Sequence, residues 1–169
     1  MLLGGCGDSY QVAASVGDLE LSHDDLAEEA EAWGNNDDLM FQLDIPEAPD
    51  PGAVPQLIIS EILNLHIQGE LARLATEEAA TAGDGPAQLE EIRAAVETDF
   101  GPLFADFDEE LADQIYTDIT YLQFLQFAGG TPTDVDLYVS PRYGTTDANN
   151  VVQSPLGASP DPSPNVFGL

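Results

Sequence analysis

The single cysteine of this chain, Cys6, follows directly on Leu3-Gly4-Gly5. A leucine three residues before a cysteine, then two small residues, is the pattern that a lipoprotein signal peptidase cleaves. The small residues fit its active site, and the freed cysteine offers a thiol and an amine to lipid. Several acyl chains hold a protein stably on a membrane where one chain binds only reversibly. A complete leader needs a charged start and about 7–15 apolar residues, so this reading expects further leader sequence upstream of Met1. Residues 1–10 are then leader and lipidated linker, and the mature chain is expected to begin at Cys6 on the extracytoplasmic side of the cell membrane. No run approaches ~20 uninterrupted apolar residues, the length of a membrane-spanning helix. With Cys6 carrying lipid, no thiol is left for a disulfide.

Other reactive types are sparse. The only histidines are His23, inside a helix-capping sequence, and His66, in the middle of the most apolar helix, and both read as structural. There is no G-x-S-x-G, no glycine-rich phosphate loop and no His/Cys cluster at metal-ligand spacing. The acidic runs Asn35-Asn36-Asp37-Asp38 and Asp106-Phe107-Asp108-Glu109-Glu110 lack the glycine that an EF-hand loop needs. They read as helix starts, where acids favour the dipole. The chain is accordingly expected to be no enzyme and to take no cofactor or metal.

Thirty-two acids stand against three arginines, Arg73, Arg93 and Arg142, and no lysine, for a net charge of −29. Proteins neutralise nucleic-acid phosphates with Lys and Arg, so this surface excludes nucleic acid as a partner. Anionic lipid would repel it too, which leaves Cys6 as the membrane contact. The apolar share of 43 % argues against disorder, and 169 residues can supply the core of one domain.

Elements follow from periodicity. Val12, Ala14 and Val16 alternate, Gly17-Asp18 turns, and Leu19 and Leu21 resume, which predicts a hairpin over 11–21. Ser22-His23-Asp24-Asp25 predicts a capping box opening a helix to Trp33, with Leu26, Ala30 and Trp33 on one face. Four prolines between Asp37 and Pro55 predict a loop, with a short turn around Leu39 to Leu43. A helix over about 54–81 is apolar nearly all round and so central. A short helix carries Leu89, Ile92 and Val96, and a last helix spans about 104–127 with Phe104, Phe107, Leu111, Ile115, Ile119, Leu122 and Leu125 in one stripe. Val135, Leu137 and Val139 alternate as a strand, which needs the N-terminal hairpin as its partner. From Thr145 to Leu169 the Asn, Ser, Gly, Pro and Asp content predicts a disordered tail, whose removal should leave stability unchanged. The expected fold is mostly α, closed by a small antiparallel sheet that pairs the N-terminal hairpin with a C-terminal strand.

Ala13-Ala14-Ser15-Val16-Gly17-Asp18-Leu19-Glu20-Leu21-Ser22 resembles the opening hairpin of the SurA-like extracytoplasmic chaperones. Leu57-Ile58-Ile59-Ser60-Glu61-Ile62-Leu63 is similar to that family's long central helix. Leu137-Tyr138-Val139-Ser140-Pro141-Arg142-Tyr143-Gly144 resembles its closing strand in actinobacterial lipoprotein members. The likeness covers roughly residues 11–144. The gaps at 82–86 and 128–134 leave no room for the parvulin-type isomerase domain that many members insert. The resemblance therefore implies a SurA-N-like module that binds unfolded secreted polypeptides without ATP and without prolyl isomerisation. Trp33, Phe41, Ile58, Ile62 and Phe124 are the candidate peptide-binding residues. Core and groove readings stand side by side for Trp33, while Phe104, Phe107 and Phe124 read as core on spacing alone. An alternative function is a structural or assembly lipoprotein with one dedicated extracytoplasmic partner.

Overall fold

A computed structural model describes residues 12–42, 53–130 and 135–153. The chain is mostly helical, with a three-stranded antiparallel sheet in the order β2-β1-β3. Strands β1 (Val12–Val16) and β2 (Leu19–Ser22) form the hairpin. Gly17 makes the reversal at φ +55°, a left-handed conformation that glycine adopts without strain. Strand β3 (Leu137–Val139) pairs with the other side of β1, matching Ala14 to Val139 and Val16 to Leu137. One more bond, from Ser140 N–H to Ala13 C=O at 2.8 Å, extends the ladder. The two ends of the domain thus share β1 as central strand, as the lone C-terminal alternation required.

The simple alternation expected for β1 is broken. A bulge lies between Val12 and Ala14, and an extra residue in one strand shifts the facing of those before it. Ala13 and Ala14 are both buried, whereas Val12 is half-buried.

Helix α1 (His23–Gly34) starts with the expected capping box. Ser22 Oγ accepts the Asp25 N–H at 3.1 Å, and the Asp25 carboxylate accepts the Ser22 N–H at 3.4 Å. Its buried residues are Leu26, Glu29 and Trp33; Ala30 packs half-buried against the core as expected, and an acid, Glu29, joins it on the inner face. The turn expected near Leu39 is a short helix, α2 (Asp37–Gln42). Asn36 Oδ1 accepts the Leu39 N–H at 2.9 Å, and its amide donates to Leu103 C=O at 2.6 Å. That one asparagine both starts α2 and fixes it against a turn 67 residues later in the chain.

Helix α3 (Val54–Thr81) is the central strut, with Pro55 in its first turn and packing against α1, α4, α5 and β1. Helix α4 (Gly85–Phe100) follows. Helix α5 (Glu109–Ala128) starts later than the stripe suggested. Phe104 and Phe107 lie in the preceding turns, where Phe104 N–H bonds to Gly101 C=O and Phe107 N–H to Phe104 C=O. Successive turns bonded at three residues keep a near-helical spacing of side chains, so the stripe runs across them without a helix. Phe104 is buried, edge-on to Phe107 and Tyr116 at 5.3 and 5.8 Å between centroids. Asp108 caps α5 by accepting the Glu110 N–H at 2.9 Å. Among the described residues no helix is long and apolar enough to cross a membrane.

The disorder expected from Thr145 is corrected for residues 145–153. Strands β4 (Thr145–Thr146) and β5 (Val152–Gln153) form a second hairpin. Its turn is built by Asp147, whose carboxylate accepts the N–H groups of Asn149 and Val151 at 2.7 and 3.1 Å. Asx side chains closing turns explain how a polar, Asn-rich run can be ordered. Val152 is fully buried. Asn64 of α3 accepts the Val152 N–H at 2.7 Å and donates to its C=O at 3.4 Å, and Gln68 donates to Asn150 C=O at 3.0 Å. The rest of the expected tail, 154–169, lies outside the described residues.

Candidate functional site

Three elements converge on His66. The imidazole is 1 % exposed at the midpoint of α3. Its Nδ1 lies 2.5 Å from Asp118 Oδ2 of α5, and its Nε2 lies 2.9 Å from Glu29 Oε2 of α1. Both carboxylates are themselves buried. Each has a second donor: Trp33 Nε1–H reaches Glu29 Oε1 at 3.1 Å, and the Gln114 amide reaches Asp118 Oδ2 at 3.4 Å. A row of polar contacts therefore runs through the apolar interior from Trp33 to Glu29, His66, Asp118 and Gln114, joining α1, α3 and α5.

The backbone allows this at Gly69. A Cβ there would lie 2.5 Å from both Cβ and Oδ1 of Asp118. Only the missing side chain lets α5 approach closely enough for the carboxylate to reach the ring.

Burial alone would lower the basicity of His66, but hydrogen bonds to Asp118 and Glu29 and the two negative charges outweigh it, and its pKa is pushed up to about 10. Burial pushes Asp118 above the ordinary carboxylate range, opposed by the bond from His66. The Gln114 amide, a further donor to Asp118, opposes that rise as well. With both nitrogens engaged and no access to solvent, His66 has no free nitrogen to offer a substrate as a base. Elsewhere, burial without a compensating charge raises Glu61 of α3 to about 6.

Two arginines sit in structural ion pairs. Arg73 donates twice to Glu70, at 2.6 and 2.7 Å. Arg93 ties α4 to α5 through Asp113 at 2.6 Å and stands over the Tyr116 ring at 5.2 Å. Arg142 lies over the ring of Tyr143 at 5.1 Å, and the Tyr143 hydroxyl lies 2.8 Å from His23 Nδ1, anchoring the segment after β3 to the start of α1.

The candidate peptide-binding residues fall into two groups. Trp33, Ile58 and Ile62 belong to one buried core cluster, and Phe124 is buried on α5. In place of the partial exposure open to it on sequence, Trp33 is fully covered, with its indole N–H engaged by Glu29. Phe41, at the end of α2, is 88 % exposed and apart from them. Cys6 lies outside the described residues. Neither Glu29 nor Asp118 was singled out from the sequence. The available signal was position: Glu29 falls three residues after Leu26 and four before Trp33, and Asp118 between Ile115 and Ile119. A charged residue on an apolar stripe is the informative exception to inward-facing hydrophobes.

Comparison of the chain with protein-family models, with curated proteins and with solved structures gives no match.

Proposed function

We propose that this domain is a lipid-anchored, extracytoplasmic, ATP-independent chaperone that binds unfolded secreted polypeptides and carries out no prolyl isomerisation. The observation that carries the reading is topological. Hairpin, capped helix, long buried helix and returning strand occur in the order that the resemblance implied, with β3 closing on β1. The surface supports it. Phe41 and Phe127 stand 88 % and 75 % exposed, and Tyr138 is exposed on the closing strand, in a chain of net charge −29. Aromatic rings displayed among acids suit extended clients that are basic and aromatic. Anchoring through Cys6 would keep such a domain where secreted chains emerge.

One observation favours the alternative of a single dedicated partner: four of the five candidate binding residues are closed into the core. The two readings separate in an aggregation assay. The chaperone should suppress aggregation of several unrelated unfolded proteins at stoichiometric ratio. A dedicated binder should leave all of them unprotected and retain one native species from an extracytoplasmic extract.

A further inference from the structure

We propose that His66 is a buried imidazolium, and that the chain takes up this proton as it folds, so that the seam between α1, α3 and α5 is held by a charge that alkali removes. This inference stands apart from the chaperone reading. It rests on counting hydrogens. Two ring nitrogens face two carboxylate oxygens, at 2.5 and 2.9 Å. A contact this short between nitrogen and oxygen needs a hydrogen between them. A neutral imidazole has one N–H and one bare lone pair, and a bare lone pair against a carboxylate oxygen is repulsive. Two contacts therefore require two hydrogens. The second is placed on the ring and not on a carboxyl group: Trp33 donates to Glu29 Oε1 and Gln114 to Asp118 Oδ2, and such donors stabilise the ionised carboxylates.

Among the described residues, none packed around the ring would supply the charge instead. Glu29 from α1 and Asp118 from α5 are the charged groups acting on the ring. Strand β1 (Val12–Val16) and strand β5 (Val152–Gln153) have no titratable residue. On α3 itself, Glu70 is occupied by Arg73. On α4, Arg93 is paired with Glu97 and Asp113, and Glu90, Glu91 and Asp99 are exposed. In the unfolded chain the imidazole loses both carboxylates and returns to its ordinary value near 6.5. The folded value is raised, so the stabilisation is complete below the unfolded value and is lost as pH climbs towards about 10.

The decisive variant is Glu29→Gln, which keeps size and shape. A glutamine amide can donate to Nε2 while its oxygen still accepts from Trp33 Nε1. The ring is then satisfied neutral, with Nδ1–H on Asp118, and the extra proton is no longer required. Nitrogen-15 NMR of histidine-labelled protein at about pH 8 should show both ring nitrogens of His66 protonated in the native chain and only Nδ1 protonated in E29Q. Between about pH 7 and pH 9 the unfolding equilibrium constant of the native chain should rise up to tenfold per pH unit, the slope of one linked proton. In E29Q it should be nearly flat over the same range. A singly protonated His66 ring in the native chain overturns the proposal, and so does an equal pH slope in both proteins. If E29Q does not fold, the ring-nitrogen spectrum of the native chain decides alone.

Discussion

A chain cut before Thr133 should lose cooperative thermal unfolding, while a chain ending at Gly144 should still unfold cooperatively but at a lower temperature than the full chain. The first cut removes β3, leaving β1 with an open edge along Ala14, Ser15 and Val16. It also removes Tyr143, which is buried and tied to His23, and Val152, which is fully buried. At about 25 cal/mol per Å² of apolar surface, these losses amount to several kcal/mol, a large part of the 5–15 kcal/mol that domains typically have. The second cut spares β3 and Tyr143 but uncovers the site of Val152. Burying a valine side chain is worth about 1.5–3 kcal/mol. The cut also leaves Asn64 without the two backbone groups it now bonds. This replaces the expectation, drawn from composition, that nothing after Gly144 matters. Circular dichroism melts of the three chains check both statements. A cooperative and unshifted melt for the shortest chain would contradict the role of β1 as shared central strand.

The second large effect is expected at Glu29→Ala. Removing one member of a buried ion pair costs about 3–5 kcal/mol, because the remaining charge stays buried and unpaired. Here two donors are orphaned together, His66 Nε2–H and Trp33 Nε1–H. Urea denaturation followed by the emission of Trp33, the only tryptophan, should show that loss at neutral pH, with the indole moved to a wetter environment. A loss under about 1 kcal/mol, the range of an exposed pair, would mean that the seam is not a buried ionic contact at all.

The parts of this fold that were legible in the sequence are those in which local chemistry and packing agree. Ser22 and Asp25 can satisfy each other's backbone in one conformation, so α1 begins where the capping box says. Gly17 is the residue for a left-handed turn, and Val16 and Leu19 face each other across it. The apolar circumference of α3 has a single meaning, burial on more than one side. The misread parts are those decided by distant partners. Phe104 and Phe107 hold helical spacing but are arranged by turns at Gly101 and a cap at Asp108. The Asn- and Asp-rich run after Thr145 is ordered because Asn64, some 88 residues earlier, offers a matching amide to Val152. The buried cluster is the furthest case. His66, Glu29 and Asp118 are separated by 37 and 52 residues, and periodicity shows only that each sits on an apolar stripe. Which acid meets which ring nitrogen depends on how closely α5 approaches at Gly69, a distance that no spacing rule contains.

The most direct test of the proposed chaperone role is a titration of fluorescently labelled, permanently unfolded clients with the folded domain, read by client anisotropy. The account predicts saturable one-to-one binding to several unrelated basic, aromatic-rich chains, with micromolar affinity because ordering an extended chain offsets much of the contact energy. Binding should weaken as added salt shortens the screening length below ~10 Å, and native forms of the same clients should not bind. Failure to bind any unfolded client, together with tight capture of one native extracytoplasmic protein, would contradict the chaperone reading and leave the dedicated-partner function in its place.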